Sequence, residues 1–303
     1  MQRLAPNITA FFFVSLIVLS LIGCLPARSQ ENVIMASSPA PAKPVLSYSN
    51  GCGFAAPAQA PSRISVGGLE RSFITHIPNN YNPNQSYPII FAFHGRTNSN
   101  EQVRRYFKLE TAMPEAIIVY PSGIKQGGSY TWANPGDSVD DQRDFALFDA
   151  LLSLFESSYC IDASRVYTVG HSLGAYFAND VACARAGVVR AVASLGGGIQ
   201  QTSCLGAVSA MIMHQPKDNL VPFSSGLKAR DVFIATDATK TVARNVSSPL
   251  LQAFACERYD ASHELVLWCP HPYTQDYNGT YYPHLWPSKT AQAIAVFFKA
   301  LPN

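Results

Sequence analysis

Six short apolar runs punctuate the chain from Tyr87 onward, each closed by turn residues. They are "YPIIFAFHG" (Tyr87 to Gly95), "AIIVYPSG" (Ala116 to Gly123), "RVYTVGHS" (Arg165 to Ser172), "RAVASLGGG" (Arg190 to Gly198), "SAMIMHQ" (Ser209 to Gln215) and "ELVLWCP" (Glu264 to Pro270). Continuous apolar runs of this length suit strands buried on both faces of a parallel sheet. Between them the period changes. In "DFALFDALLSLFESSY", Phe145, Phe148, Leu151, Leu152 and Phe155 fall at i, i+3 and i+4 spacing. "LGAYFANDVACA" from Leu173 is a second helical pattern. "SKTAQAIAVFFKAL" is a third, with Ser288 as its expected N-cap. Alternation of strand and helix predicts an open, mostly parallel α/β sheet with helices on both faces.

The N-terminal pattern is different. Arg3 precedes "AFFFVSLIVLSLIG", Ala10 to Gly23, an apolar run short for a membrane span and placed where the core of a signal peptide belongs. Ala27-Arg28-Ser29 offers an A-x-S cleavage site. "LIGC" also resembles a lipobox, which would lipidate Cys24; an uncleaved anchor is the third alternative. The expected organisation is a leader at 1–29, a Pro/Ala/Ser-rich linker at 30–49 containing "SSPAPAKPVLS", and one domain at 50–303. The expected location is extracellular, with the membrane met only through a lipid on Cys24.

Charge and cysteine content narrow the function classes. Of 303 residues, 14% are charged, the formal net charge is +2, and no basic run exceeds Arg104-Arg105. That argues against nucleic acid as a partner, because phosphate binding needs a concentrated basic face. The 14 Tyr and 17 Phe suit neutral or aromatic substrates. Setting Cys24 aside leaves Cys52, Cys160, Cys183, Cys204, Cys256 and Cys269, an even set that predicts three disulfides in an exported chain, with about fifteen pairings open. The sequence holds no C-x-x-C pair and no H-E-x-x-H, and neither a metal nor a cofactor is expected. Asp140-Asp141 has no third ligand at useful spacing; helix capping or pairing with Arg143 is the expected role. Asn84, Asn245 and Asn278 head N-x-S/T sequons, meaningful in a eukaryotic host.

The chemistry centres on Gly170-His171-Ser172-Leu173-Gly174, a G-x-S-x-G pentapeptide between a strand pattern and a helical one. That setting is what a nucleophile elbow requires, and it makes Ser172 the candidate nucleophile. A serine hydroxyl needs a base, and in this architecture an acid and then a histidine follow on later loops. "QPKDNLVPF" places Asp218 after one strand, and "YYPHLWPSKT" places His284 before the last helix. Asp231, Asp237, His263 and His271 compete for these roles. The backbone N–H groups of Leu173 and Arg96, or Thr97 in place of Arg96, are the candidate oxyanion donors. His94 is expected to hold the "FHGRTN" loop.

Together these stretches resemble the secreted feruloyl esterases and the related poly(3-hydroxybutyrate) depolymerase-like esterases of the α/β-hydrolase superfamily. The resemblance runs from about Gly51 to the C-terminus through "NGCG", "FHGRTN", "YTWAN", "VDDQRDF", "CIDASRVYTVGHSLG", "HQPKDNLVP" and "PHLWP". It implies an α/β-hydrolase fold and ester hydrolysis through an acyl-enzyme: Ser172 attacks, His284 shuttles the proton and Asp218 orients. Two departures bear on substrate: Arg96 stands where the depolymerases carry Cys, and Tyr282-Pro283 stand where the family often has Gly-Gly. The long "CPHPYTQDYNGTYYPHLWP" segment brings Tyr273, Tyr277, Tyr281, Tyr282 and Trp286 near His284 as a candidate aromatic wall, with Trp132 a further substrate-binding candidate. Packing onto the sheet is the competing role for these rings. The expected disulfides are Cys52–Cys160, Cys183–Cys204 and Cys256–Cys269. The expected activity is release of hydroxycinnamic acids from plant cell-wall polysaccharide. Its rivals are polyester depolymerase or acetylxylan esterase chemistry at the same triad, and a catalytically silent binding module.

Overall fold

All six apolar runs form strands, and the reason is visible in how they divide their side chains. In β3 (Tyr87–Phe93), Ile89, Phe91 and Phe93 join one apolar cluster, while Ile90 and Ala92 join the other. The same alternation divides β9 (Ser209–Met213) and β12 (Leu265–Cys269), because successive side chains leave a strand on opposite faces. β4 (Ile117–Pro121), β7 (Ile161–His171) and β8 (Ala191–Leu195) complete the set. Lying in the order β4-β3-β7-β8-β9-β12, these strands pair in parallel throughout.

The computed structural model describes residues 48–133, 142–236, 243–260, 264–276 and 278–301. The leader at 1–29, the linker as far as residue 47, Cys24, Asp140, Asp141, Asp237, His263 and Tyr277 lie outside the described residues. Tyr48 and Ser49, at the linker boundary, already pair with the domain: Tyr48 bridges Asp162, and the Ser49 hydroxyl donates to the Tyr159 carbonyl at 2.7 Å.

The sheet continues past the apolar runs on both sides. β1 (Arg63–Val66) and β2 (Leu69–His76) extend it antiparallel next to β4, and β11 (Glu257–Asp260) and β10 (Arg244–Asn245) do so beyond β12. A small hairpin of β5 (Ile124–Gln126) and β6 (Ser129–Thr131) stands apart. Two helical layers cover the sheet. On one face lie α3 (Arg143–Ser158), α4 (Leu173–Ala184) and α5 (Phe223–Thr236), which bury Phe148, Phe155, Phe177 and Phe233. On the other lie α1 (Asn100–Phe107), α2 (Leu109–Ala112), α6 (Pro249–Ala253) and α7 (Thr290–Lys299), which bury Phe107, Leu251 and Phe297. This is the α/β-hydrolase fold.

Local details refine the expected boundaries. The Thr290 N–H closes a turn on the Pro287 carbonyl at 3.0 Å, so α7 starts with Lys289 rather than Ser288 at its N-cap. Asp144, in the first turn of α3, is fully buried; its carboxylate meets Arg71 of β2 at 2.6 Å and accepts the Ala133 N–H at 2.7 Å. A buried ion pair of this kind ties the start of α3 to β2. Three disulfides link Cys52–Cys160, Cys183–Cys204 and Cys256–Cys269.

Candidate active site

The chain reverses sharply between β7 and α4, and Ser172 sits at the corner with φ 58° and ψ −124°. A side chain in that backbone region costs on the order of 1–3 kcal/mol, which the surroundings must impose. They do so through both strand and helix. The Ser172 N–H donates to the Leu195 carbonyl of β8 at 2.9 Å, and its own carbonyl accepts from Ala175 and Tyr176. The flanking glycines follow from close backbone approach. A Cβ on Gly170 would lie 2.1 Å from the Gly174 carbonyl oxygen, and one on Gly174 would lie 2.2 Å from that of Phe93. Both glycines of G-x-S-x-G are therefore steric requirements of the turn.

Asp218 follows β9 in a tight turn, where its Oδ1 accepts the N–H groups of Leu220 and Val221, each at 2.9 Å. Its Oδ2 faces His284 Nδ1 at 2.6 Å, with the two side chains 1% and 3% exposed. Burial would raise the Asp218 carboxyl, but hydrogen bonds from His214, His284, Val221 and Leu220 outweigh it and hold the group well below the usual carboxylate range. His284 Nε2 is buried with no hydrogen-bond partner among the described residues. Gly196, the residue after the Leu195 that holds Ser172, approaches the His284 ring closely enough that a Cβ there would lie 3.0 Å from Cε1. The His171 ring, next to Ser172, stacks on that of His284 at 5.0 Å. The Ser172 corner and the Asp218–His284 pair thus both lie against the Leu195–Gly196 end of β8.

The two competing residues that are described, Asp231 and His271, make other contacts. Asp231 points outward from α5 and pairs with its neighbour Arg230 at 2.6 Å. His271 is fully buried against Phe254 and Tyr273, and burial lowers its pKa to about 4.

The loop after β3 presses on Ser172 from the other side: a Cβ on Gly95 would lie 3.2 Å from Ser172 Cβ. Arg96 follows at the loop's exposed tip, its carbonyl accepting the Tyr130 N–H at 2.9 Å. Leu173, the other oxyanion candidate, is the first residue of α4. His94 holds this loop from beneath. Its Nε2 accepts the Gly123 N–H at 2.9 Å, so Nδ1 carries the hydrogen and donates to the Gly95 carbonyl at 2.8 Å. Burial lowers its pKa to about 4.

The two tryptophans proposed for substrate contact have different surroundings. Trp132 is 2% exposed, lies parallel to Phe177 at 5.0 Å, and donates its indole N–H to the His94 carbonyl at 2.9 Å. It holds the loop after β3 from the core, because its one side-chain polar atom is spent on that loop. Trp286 is half-buried, stacked on Phe107 at 3.8 Å and edge-on to His171. It braces the His284 segment from behind. Tyr273 packs inward on Phe254 at 5.1 Å. Of the expected aromatic wall, Tyr281 and Tyr282 remain open, 59% and 42% exposed, and Tyr282 meets the His284 ring edge-on at 6.3 Å.

Three residues with no assigned role in the sequence reading complete the setting. His171 is buried and its pKa falls to about 3, through burial first and the nearby His284 second. Tyr106 of α1 reaches His171 Nδ1 at 3.0 Å. His214 lies beside Asp218 at 3.4 Å. Only the x of G-x-S-x-G pointed at His171, and nothing in the pattern pointed at Tyr106.

A family model described as "Putative esterase" matches residues 65–268. "Probable feruloyl esterase C" of Aspergillus flavus is 34% identical over 178 residues, covering 55% of this chain and 62% of its own length, so the match spans less than two thirds of that relative. "Feruloyl esterase D" of Neurospora crassa is 28% identical over 228 residues, covering 69% of this chain and 75% of its own. Among solved structures, an acetyl xylan esterase from Aspergillus awamori superposes with a TM-score of 0.53 at 14% identity, over 66% of this chain and 87% of that one. A phospholipase/carboxylesterase from Dyadobacter fermentans does so at 0.52 and 16%, over 76% and 96%. Both structural likenesses are likenesses of fold.

Proposed function

The chain belongs to the "Putative esterase" family, and from that premise we propose that it is an exported serine carboxylic-ester hydrolase working through an acyl-enzyme. The observation that carries this reading is the 2.6 Å contact between Asp218 and His284 beside a serine held at φ 58°. Ser172 Oγ attacks the acyl carbon while its proton passes to His284 Nε2, the nitrogen with no other partner among the described residues. The carbonyl oxygen becomes an oxyanion held by the N–H groups of Leu173, at the positive end of α4, and Arg96. His284 then returns the proton to the departing alcohol, and water repeats the sequence on the acyl-enzyme. Asp218 keeps the imidazole in its Nδ1–H tautomer and stabilises the imidazolium without taking the proton.

The preferred substrate in this proposal is a hydroxycinnamoyl ester, polysaccharide-linked. Feruloyl esterases of 34% and 28% identity support it, as do the exposed rings of Tyr281 and Tyr282 and the exposed side chain of Leu220 (62%) around the His284–Asp218 pair. A short acyl group, as in acetylxylan or a hydroxybutyrate polyester, is the second reading. The observation favouring it is the burial of Trp132, which leaves fewer rings for an aromatic acyl group. Export is supported by the leader pattern and by three disulfides, which persist in oxidising compartments. No described helix is long and apolar enough to cross a membrane.

Hydrolysis of methyl ferulate, a short nitrophenyl ester and a hydroxybutyrate oligomer, with Ser172→Ala in parallel, tests the proposal. Preference for ferulate that Ser172→Ala lowers by at least about a thousandfold is the expected result. Preference for the short ester selects the second reading, and equal activity in the alanine variant removes Ser172 from the mechanism.

A further inference from the structure

We propose that His214 is a positioning residue for the Asp218–His284 pair: it shares the carboxylate oxygen that His284 uses and sets how firmly that oxygen is held. The inference rests on the triad reading above.

His214 directly follows β9, four residues before Asp218, and is fully buried. Its Nε2 lies 3.0 Å from the Val221 carbonyl oxygen and 3.4 Å from Asp218 Oδ2. Both atoms only accept, so Nε2 carries hydrogen, donates it to the Val221 carbonyl and presents its positive edge to Asp218 Oδ2 at the longer distance. The opposite nitrogen, Nδ1, has no partner among the described residues. It faces α5 where Gly226 leaves room, since a Cβ there would lie 2.5 Å from Nδ1. Phe223 closes the ring in edge-on at 5.7 Å. An apolar side chain would fill this space with no unsatisfied nitrogen, so packing alone does not account for an imidazole here.

Its polar partner accounts for it. Asp218 Oδ1 is held by two backbone N–H groups, and Oδ2 by His284 and His214. Two donors on Oδ1, and His284 and the His214 edge on Oδ2, resist rotation of the carboxylate away from His284. The His214 edge also spreads the charge that faces the imidazolium and so moderates its pull. The other titratable groups bearing on the pair are His271 toward Asp218, and His171 and Tyr282 against the His284 ring.

The test compares His214→Leu with His214→Gln, measuring kcat and KM from about pH 5 to 9 on whichever ester is hydrolysed, with Ser172→Ala and His284→Ala alongside. Glutamine places an amide N–H near the position of Nε2. Leucine is expected to lower kcat about tenfold with little change in KM. It should also move the acid limb of kcat/KM upward by about half a unit, and glutamine should restore most of both. An unmoved acid limb, or identical leucine and glutamine variants, overturns the inference. If circular dichroism shows that the leucine variant does not fold, imidazole 15N NMR of the native protein decides. A hydrogen on His214 Nε2 supports the inference, and one on Nδ1 overturns it. Full activity in Ser172→Ala or His284→Ala overturns the triad reading and this inference with it, a result distinct from anything the His214 variants produce.

Discussion

Gly174 shows how little freedom single residues have around this site. Its missing Cβ is what lets α4 start 2.2 Å, in virtual-atom terms, from the Phe93 carbonyl. Gly174→Ala is therefore expected to cost about 3 kcal/mol as the strand and helix are forced apart. Gly187→Ala is the control: no atom lies within 4 Å of the added carbon, and the change should stay within about 0.5 kcal/mol. Denaturant midpoints of the two variants check this. The pentapeptide was legible in the sequence because close backbone approach admits only glycine at its ends, and the contact of Asp218 with His284 was legible because one follows a strand pattern and the other precedes the last helix. The tryptophans were not. A ring of that size suits a core and a binding site equally, and what separates Trp132 from Trp286 is the indole hydrogen bond to His94, a contact 38 residues away in sequence. His214 escaped for a related reason: it closes an apolar strand run, and nothing local distinguishes a histidine that meets a carboxylate from one that fills space.

At the scale of elements, legibility followed burial. β4, β8, β9 and β12 are buried at every position, so each reads as an unbroken apolar run. β1 carries the pattern exposed and half-buried in alternation, and β11 has one fully buried position, so neither stands out from a loop by hydropathy. The disulfides join elements across very different lengths of chain. Cys52–Cys160 closes a separation of 108 residues and Cys256–Cys269 one of 13. Replacing the first pair with serine should cost about 4–5 kcal/mol by loop entropy, against about 3 for the second. Thermal unfolding of the two double-serine variants should show the larger drop in Tm for the Cys52–Cys160 pair.

For the molecule as a whole, the buried ionisable groups set how stability follows pH. Unfolded, His94, His171 and His271 take up protons near pH 6.5; folded, burial delays this to about 4, 3 and 4. The unfolded chain therefore binds more protons below about 6.5, and stability falls as the pH drops through that window. Asp180 acts in the opposite sense. Burial raises its carboxyl from 3.8 to about 7 despite hydrogen bonds from the Gln200 and Gln201 N–H groups, so its contribution falls as pH rises across that range. Three imidazoles outweigh one carboxyl. Unfolding free energy should rise between about pH 4.5 and 6.5, by on the order of 1–3 kcal/mol per unit, in urea titrations at fixed ionic strength. Asp218, held charged well below that window, loses its contribution only in stronger acid.

The antiparallel strands at the two ends of the sheet have a consequence for storage at high concentration. A long, flat, apolar margin would recruit a second copy by strand pairing and seed aggregates. Here the outermost described strands are the short β1, with Arg63 exposed, and β10, reduced to Arg244 and Asn245. Asn245 also heads a sequon. In a host that glycosylates, a sugar tree would stand on that margin and shield it, and concentrated protein would stay dispersed while the Asp218–His284 end of the sheet remained uncovered.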